Sequence, residues 1–344
     1  MIKINSKISF SYNKPPLIIA EISGNHNRSK KRFLKLIDSA FKNGADLVKI
    51  QTYEPTDITL NSKNKNYLIK KGLWKKKYLW DLYKKAHTPF KWHKDAFQVA
   101  KKNKGILFSS PFSIRAVDLL ESLNVKLYKI ASFEITDLKL INYIASKKKP
   151  IIISTGNSSM NEIKEAINTI KKYHNKIVIL HCVSSYPTEL ESTNLNRINE
   201  LKKKFKRYYI GLSDHTIGIE STIASIPLGI VTVEKHFKLD NKLDSVDSKF
   251  SISSEKLKEL SKIRNSIFYS LNNKKKLTID KMSIKLRRSI YATKNIKKGE
   301  KFNYKNIDTL RPKIGLSASQ FFKILGKRSK KNIKKNSPIR KNSF

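Results

Sequence analysis

Eight short apolar runs recur along the first 237 residues of this chain, and amphipathic segments separate them. The runs are rich in Ile, Val and Leu, as is typical of strands buried on both faces. They are "LIIAEI" (17–22), "DLVKIQ" (46–51), "GILFSS" (105–110), "KLYKIAS" (126–132), "PIIIST" (150–155), "IVILHC" (177–182), "YYIGLS" (208–213) and "IVTVEKHF" (230–237). The segments between them, such as "MNEIKEAINTIKKYH", have the apolar spacing of helices that cover a sheet. Eight such units predict a closed α/β barrel of the (β/α)8 (TIM) type rather than an open doubly wound sheet.

The pattern changes after about residue 272, where the alternation gives way to a polar, lysine-rich stretch. We predict a barrel domain over 1–272, a linker over 273–285 and a small domain of short strands over 286–344. The small domain contains an internal echo, "NIKKGE" at 295 and "NIKKNS" at 332. Because two copies are too few for a repeat array, the echo predicts two similar turns of one module.

The connection after the second strand is unusually long, running from Thr52 to about Phe90 before its helix. Its stretch "LWKKKYLWDLYKKAHTPFKWHKDAF" holds all three tryptophans, Trp74, Trp80 and Trp92. Two interpretations stay open: a packed loop or extra helix, and a lid or substrate wall over the barrel mouth.

The formal net charge of +45 raises the question of nucleic-acid binding, since clustered Lys and Arg release counterions from phosphate backbones. Here the lysines are spread along nearly the whole chain, which indicates solvated faces rather than a binding stripe. The charge would still steer anionic substrates. We therefore expect no specific nucleic-acid partner, and a basic nucleic-acid-binding protein on a degenerate barrel remains only a remote alternative.

The sequence also favours one compartment. No apolar run approaches the roughly 20 residues that a membrane span needs, and the N-terminus has neither an apolar h-region nor a small-residue cleavage site. The single cysteine, Cys182, excludes an intrachain disulfide, which suits a reducing environment. We expect a cytoplasmic protein without a membrane partner.

Polar residues follow or end each predicted strand, and in a barrel of this kind the chemistry lies at the C-terminal ends of the strands. In strand order, they are Glu21, Asn25 and His26; Lys49 and Gln51; Ser110; Lys129, Ser132 and Glu134; Ser154; Ser184, Ser185 and Tyr186; Ser213 and His215; Glu234, Lys235 and His236. The spacing predicts that these side chains surround a single pocket.

Two features of this set indicate ligands. Lys49 and Lys129 interrupt buried strands, which is costly unless each meets an anion, and the serines around them suit a small phosphorylated and carboxylated molecule. His215 and His236 end adjacent strands and could share a metal. Two histidines alone are a weak metal signal, so the spacing by itself favours hydrogen-bonded structural histidines over a metal site. Water and substrate would have to complete the metal's shell.

Eight stretches in chain order carry a family resemblance: "AEISGNHN", "KIQTY", "FSSPF", "KIASFEITDLKLI", "STGNSSMNEI", "SSYPTELESTNL", "GLSDHTIGI" and "VEKHF". They resemble the sialic acid synthase family, whose members condense phosphoenolpyruvate with an amino-sugar aldehyde. The stretches "RRSIYATKNIKKGE" and "TLRPKIGL" are similar to the family's C-terminal antifreeze-like (SAF) domain. The resemblance is greatest to the pseudaminic acid branch, through the Ser-Gly pair of "AEISGNHN", the Trp-rich stretch, "SFEITDL" and "VDSKFS".

The resemblance assigns a role to each candidate residue. Phosphoenolpyruvate would be held by Lys49, Gln51, Ser110, Lys129, Ser132, Ser154, Ser184 and Ser213. Ser184 stands where sialic acid synthases tend to carry Asn. The groups around the sugar and the attacking water would be Glu21, Glu134, Tyr186, Glu234 and Asp247, of which the four carboxylates are the expected catalytic residues. His215 and His236 match the ligands of a divalent metal, usually manganese or magnesium.

Arg311, in "LRPKIG", matches the arginine that the antifreeze-like domain offers to the active site of a partner subunit. The resemblance therefore implies a domain-exchanged homodimer. It also implies condensation of phosphoenolpyruvate with 2,4-diacetamido-2,4,6-trideoxy-L-altrose and water to give pseudaminic acid and phosphate. N-acetylmannosamine and the diacetamido sugar that leads to legionaminic acid remain alternative substrates.

Overall fold

The structure is a computed structural model that describes residues 1–240, 244–272 and 280–344. The chain divides into two compact units, Met1–Asn273 and Lys274–Phe344. Of the predicted linker over 273–285, residues 273–279 lie outside the described residues, and Lys281–Lys285 forms a short helix.

All eight predicted strands are present, and they close a parallel barrel. A short hairpin, β1 (Ile2–Lys3) and β2 (Ser9–Phe10), precedes it. The barrel strands are β3 (Leu17–Glu21), β4 (Leu47–Thr52), β5 (Ile106–Pro111), β6 (Tyr128–Ile130), β7 (Ile151–Ser154), β8 (Ile177–Cys182), β9 (Tyr209–Asp214) and β10 (Thr232–His236). Since β10 pairs with β3, the predicted closed barrel is confirmed.

Amphipathic helices surround the barrel. They are α1 (Lys30–Lys42), α2 (Leu79–Ala86), α3 (His93–Lys102), α4 (Ile114–Ser122), α5 (Leu138–Ser146), α6 (Met160–Lys171), α7 (Arg197–Lys204), α8 (Glu220–Ser225) and α9 (Ser254–Asn272). Several begin at a polar cap: the Ser29 hydroxyl accepts the Arg32 N–H, and Ser159 forms a reciprocal capping box with Glu162. Such caps satisfy the N–H groups that a helix leaves unpaired at its start.

The pairing register of the barrel strands is enough to bring several functional side chains together, without any contribution from the loops. Successive strand residues alternate in direction, so Lys49 and Gln51 share one side of β4 while Ile50 faces the other. In the ladders Glu21 lies opposite Lys49 on β4 and opposite His236 on β10. Glu234 likewise pairs with Ser213. The charged residues are therefore neighbours because of the register of β10, β3 and β4.

The long second connection forms a substructure of its own. It contains the helix α2 and a small antiparallel bridge between Leu68 and Tyr78. The predicted extra helix is therefore present. The residue of this connection that bears on the substrate-wall interpretation is Trp74.

The C-terminal unit has a separate apolar core that includes Ile290, Ile296, Phe302 and Ile333. Its regular elements are α10 (Lys281–Lys285), β11 (Ser289–Ala292), β12 (Ile307–Leu310) and α11 (Phe321–Ile324), with β11 and β12 antiparallel.

The two echoed turns of this unit pair with each other. Ile296 and Ile333 exchange both backbone hydrogen bonds at 2.8 Å. The Asn332 side chain accepts the Lys298 N–H, and the Asn295 side chain accepts the Lys335 N–H, each at 2.8 Å. The echo therefore corresponds to two equivalent turns related by a local pseudo-twofold.

Among the described residues, no helix combines the length and apolar character needed to cross a membrane.

Candidate active site

Four buried charges form the centre of the barrel mouth. Lys49 Nζ lies 2.7 Å from Glu21 Oε2 and 3.2 Å from Glu234 Oε1. Lys129 Nζ approaches the same Glu234 oxygen at 3.4 Å. All four residues are at most 3% exposed. The positive and negative charges balance, so the cluster can be buried without a net charge.

The two lysines have different electrostatic environments. Burial lowers the pKa of Lys49, but the ion pairs with Glu21 and Glu234 outweigh it and raise the pKa above its ordinary value. Burial also lowers the pKa of Lys129, and the attraction of Glu234 only partly offsets it. Lys49 is therefore firmly charged and doubly paired, whereas Lys129 has less of its charge neutralised.

This pairing changes the interpretation of the lysines. The sequence predicts that they meet an external anion, and the structure shows protein carboxylates in that position. Their burial alone therefore does not require a ligand. A ligand is instead indicated by the hydroxyl groups around them.

Several polar atoms at the mouth are enclosed and have no hydrogen-bond partner within the described residues. They include Ser154 Oγ, Ser184 Oγ, Glu134 Oε2, Glu234 Oε2 and His236 Nδ1. Such atoms are uncommon in folded proteins, because an unpaired buried polar group costs about 1–3 kcal/mol. Their concentration at one end of one barrel indicates a site that exchanges these missing bonds with a polar ligand.

Gly156 allows the serines to approach one another. A Cβ at this position would lie 2.1 Å from Ser184 Oγ and 2.9 Å from Ser132 Oγ. The Gly156 N–H donates to Ser132 Oγ at 3.1 Å. The absence of a side chain at 156 therefore lets the Ser132 and Ser184 hydroxyls both approach the backbone at this position.

Two further carboxylates border the cluster. Burial raises the pKa of Glu134 to about 7. Burial also raises the pKa of Asp247, against hydrogen bonds from Ser23 and from the Gly24 N–H, the latter at 3.1 Å. Gln51 donates to Glu21 and to Ser23, which connects this side of the mouth to the ion-pair cluster. Glu134 can therefore exchange a proton near neutral pH.

The two histidines meet as the sequence predicts, with ring centroids 5.4 Å apart. His215 Nδ1 is 2.9 Å from the Val183 carbonyl oxygen, so an Nδ1–H tautomer leaves Nε2 with its lone pair. Burial, followed by the charge of His215, lowers the pKa of His236 well below its usual value, which keeps its nitrogens available as ligands.

This chemistry fits two ligands of a divalent metal, with Nδ1 of His236 left unpartnered. No group of three or more His, Cys, Asp or Glu in the described parts of the chain is arranged to hold a metal by itself. Water and substrate would have to supply the remaining ligands.

An aromatic chain leads from the histidines to the long second connection. The Tyr186 ring lies 4.3 Å from His215, and Phe250 lies 4.7 Å from His236, centroid to centroid. Trp74 is 5.5 Å from Tyr186 and donates its Nε1–H to the Val246 carbonyl oxygen at 3.0 Å. The connection therefore delivers an indole to the mouth, as the wall interpretation expects.

Comparison with known proteins identifies the family. The NeuB family model matches residues 36–276, and the SAF domain model matches residues 287–344. The chain belongs to the NeuB family.

Relatives of this NeuB-family chain are synthases. It is 41% identical to the pseudaminic acid synthase of Campylobacter jejuni, over 98% of each chain. It is 37% identical to the N,N'-diacetyllegionaminic acid synthase of the same species, over 95% of this chain and 99% of that one. The chain is accordingly an enzyme, a transferase-type synthase that makes pseudaminic acid or a closely related sialic or legionaminic acid.

A solved structure supports the same assignment. The N-acetylneuraminic acid synthetase of Leptospira borgpetersenii, crystallised with citrate, superposes with a TM-score of 0.72 at 29% identity, over 81% of this chain and 92% of that one. The predicted family, the barrel and the antifreeze-like domain are all confirmed.

Four of the predicted rim residues of this NeuB-family chain do not face the mouth. Asn25 is fully buried and donates to the Phe237 carbonyl and to Ser251. His26 packs edge-on against Phe33 and Trp92. These side chains turn inward because Ser23–His26 forms a 3-10 turn rather than continuing the rim.

The other two rim residues that do not face the mouth are Lys235 and Ser185. Lys235, between Glu234 and His236, faces the opposite side of β10, where it pairs with Asp214 at 3.0 Å. Ser185 is exposed and donates to the Pro187 carbonyl. None of the four was among the residues given a substrate, catalytic or metal role.

Several mouth residues were not among the predicted site residues: Ser23, Trp74, Gly156, Cys182 and Phe250. Cys182 lies between the Ser132 hydroxyl, at 3.5 Å, and His215 Nδ1, at 3.9 Å. The Trp-rich stretch was a signal for Trp74, and the strand end was a signal for Cys182. Phe250 lies in the quoted stretch "VDSKFS", but an isolated Phe normally indicates core, so its residue type did not mark it as a site residue.

Arg311, the remaining predicted residue, lies just after β12 in the C-terminal unit. It is exposed to solvent. Its predicted role in a partner subunit stays a prediction.

Proposed function

We propose that this enzyme condenses phosphoenolpyruvate with 2,4-diacetamido-2,4,6-trideoxy-L-altrose and water to give pseudaminic acid and phosphate. The observation that carries the proposal is the buried group of lysines and unpartnered serine hydroxyls at the strand ends. The choice of sugar rests on the relative named pseudaminic acid synthase at 41% identity. The single, buried thiol of Cys182 suits work in the reducing cytoplasm.

Phosphoenolpyruvate carries a phosphate and a carboxylate, and the mouth offers complementary donors. Lys129 is the better placed ammonium, because it shares only one carboxylate, at 3.4 Å. Lys49 donates weakly to Ser110 at 3.4 Å. The hydroxyls of Ser154 and Ser184 have no competing protein partner among the described residues. Ser132, Ser213 and Gln51 complete the proposed binding set.

Carbon–carbon bond formation requires the sugar in its open-chain aldehyde form. A divalent ion held by His215 and His236, manganese or magnesium, would supply Lewis-acid polarisation of the aldehyde oxygen. The C3 carbon of phosphoenolpyruvate then attacks the aldehyde carbon and leaves positive character at C2. We assign the stabilisation of that charge to the carboxylates of Glu21 and Glu234, which belong to the ion-pair cluster.

Water addition at C2 needs a base, and Glu134 has a suitable pKa. A group that titrates near pH 7 is half ionised at working pH and can accept the proton of the attacking water. Phosphate leaves with its bridging oxygen when the bond from C2 to that oxygen breaks, and the C2 hydroxyl releases its proton as it becomes the carbonyl of the product. We assign Asp247 and Tyr186 to the sugar, since both border the histidine pair or the ion-pair cluster.

The direct test is phosphate release from the purified, manganese-loaded enzyme. We expect release with phosphoenolpyruvate plus the altrose derivative, loss after exhaustive chelation and recovery when manganese is added back. Turnover only with N-acetylmannosamine or the legionaminic acid precursor would replace the proposed sugar. Full turnover after chelation would remove the metal from the proposal, and the absence of turnover with every sugar would overturn it.

We further propose that the enzyme is a homodimer in which Arg311 completes the active site of the partner subunit. Arg311→Ala and His215→Ala should each inactivate the enzyme. Mixed under conditions of demonstrated subunit exchange, they should regenerate some activity, because one hybrid site has both an intact barrel and an intact arginine. If the mixture stays inactive although subunit exchange is demonstrated, Arg311 does not complete the active site of the partner subunit.

A further inference from the structure

Trp74 is the outer end of the aromatic chain at the mouth. Its ring lies 5.5 Å from Tyr186 and 6.5 Å from Phe250, and these rings contact His215 and His236. Trp74 belongs to the long second connection, and its hydrogen-bond partner Val246 lies 172 residues later in the sequence. The indole is thus held at the site by tertiary contacts.

The polar atom of the indole is already used. Trp74 Nε1–H donates to the Val246 carbonyl at 3.0 Å, so the remaining surface of the ring is apolar. Phe250 is 1% exposed and has no polar atom to offer. The four charges of the ion-pair cluster, by contrast, lie on β3, β4, β6 and β10. The mouth therefore has one charged side and one aromatic side.

Phosphoenolpyruvate has no apolar face large enough for an aromatic wall, so the sugar is the substrate that can contact it. A 6-deoxy sugar presents a methyl group where other sugars present a hydroxymethyl group. An aromatic ring contacts a methyl group favourably, whereas a hydroxyl placed against it loses its hydrogen bonds to water without replacement.

We propose that Trp74 selects amino sugars that lack a hydroxyl at C6, by contact of its apolar face with the C6 methyl group. This inference rests on the proposed function and names the residue that would set its sugar class. Because an apolar pocket rejects an added hydroxyl only moderately, the selectivity from this contact should be on the order of tenfold to a hundredfold.

The experiment compares two sugar pairs that each differ only at C6. One pair is the proposed altrose derivative and its 6-hydroxy counterpart, and the other is 6-deoxy-N-acetylmannosamine and N-acetylmannosamine. Binding by calorimetry and kcat/KM by phosphate release are measured for the wild type, Trp74→Phe, Trp74→Ala and Trp80→Ala. Trp80 lies in α2 of the same connection and is the matched indole control. Melting temperatures verify that each variant is folded.

We expect the wild type and Trp80→Ala to prefer the 6-deoxy member of a pair by roughly tenfold or more, and Trp74→Ala to lose that preference. Trp74→Phe should retain part of it. If Trp74→Ala weakens both members of each pair equally, the ring recognises another part of the sugar and the inference is overturned.

The inference and the proposed function can fail separately. A Trp74-dependent preference that appears only in the N-acetylmannosamine pair would reject the proposed altrose sugar and retain the role of Trp74. Turnover of the altrose derivative without any preference at C6 would retain the proposed function and overturn the role of Trp74. Binding of none of the four sugars would overturn both.

Discussion

The barrel and the C-terminal unit differ in whether any of their positively charged side chains are buried. Residues 1–272 contain 49 Lys and Arg against 24 Asp and Glu, a net charge of +25, whereas residues 280–344 contain 20 against 3, a net charge of +17. The C-terminal unit is the more basic per residue, and all its Lys and Arg are exposed. The barrel buries Lys49, Lys129 and Lys235, each within reach of a carboxylate.

This comparison indicates that burial and ion pairing, and not net charge, distinguish the lysines whose replacement should alter stability or binding. An exposed ammonium stays hydrated, so its replacement changes little. A buried ammonium with a carboxylate partner is coupled to that partner, so its loss leaves an uncompensated charge. The following substitutions test this contrast, beginning with the largest expected effect.

The pair of Lys235 and Asp214 should show the largest effect on stability. Lys235→Met leaves Asp214, which is 3% exposed, without its ammonium partner. We expect the free energy of unfolding in urea to fall by about 3–5 kcal/mol. The double variant Asp214→Asn with Lys235→Met should recover much of this loss. A loss below about 0.5 kcal/mol, the range of ordinary surface changes, would contradict the coupling.

Lys129 and Lys49 should separate binding from stability. Lys129→Met should weaken phosphoenolpyruvate binding, measured by calorimetry, by about 2–5 kcal/mol, because it removes an ammonium facing the proposed anion site. Lys49→Met should also weaken binding, and it should destabilise the fold more than Lys129→Met does, since it leaves both Glu21 and Glu234 without their nearest ammonium. Unchanged affinity in both variants would show that neither lysine binds the substrate.

The variant Glu134→Gln tests how much a buried carboxyl group without a close cation lowers the free energy of unfolding. The pKa of Glu134 is about 7 in the folded protein, against an ordinary value of 4.5. The folded state therefore binds the proton more tightly, so stability is highest below about pH 4.5 and falls as the pH rises toward 7. Glu134→Gln should remove this loss and raise stability at pH 8 by up to about 3 kcal/mol, while turnover falls.

The matched control for Glu134 is Glu255→Gln, an exposed glutamate in the first turn of α9. Urea denaturation between pH 5 and pH 8 should give a steeper pH dependence for the wild type and Glu255→Gln than for Glu134→Gln. Parallel curves for all three proteins would refute the raised pKa.

Exposed lysines should give the smallest effect. Lys298→Met and Lys334→Met, in the paired turns, should change the free energy of unfolding and the affinity for phosphoenolpyruvate by no more than about 0.5 kcal/mol. A large change in phosphoenolpyruvate affinity would mean that solvated lysines outside the barrel domain contribute to binding, and this would contradict the contrast.

Much of the fold and of the site was predictable from the sequence, for a physical reason. A strand buried on both faces tolerates few polar residues, so Lys49, Lys129 and Glu234 were visible as exceptions. Parallel strands also bring such exceptions to the same end of a barrel.

The misplaced residues depend on features with no local signal. Asn25 and His26 turn inward because the backbone after β3 enters a 3-10 turn, with a positive φ of 43° at Ser23. The position of Trp74 depends on a hydrogen bond to Val246, far along the chain. Nor does residue type alone reveal that Glu21 and Glu234 neutralise the two lysines, because that requires the ladder register.

The paired turns of the C-terminal unit have a consequence for biosynthesis. The Asn295 turn finds its backbone partners only when residues 332–335, nearly forty positions later, are available. During translation at about 5–20 residues per second, the first turn must therefore wait some seconds, in addition to transit through the ribosome. Contacts this distant in sequence close slowly compared with a local hairpin. Loss of a few residues at the second turn, by a late frameshift or by proteolysis, would therefore leave the first turn without these hydrogen-bond partners as well.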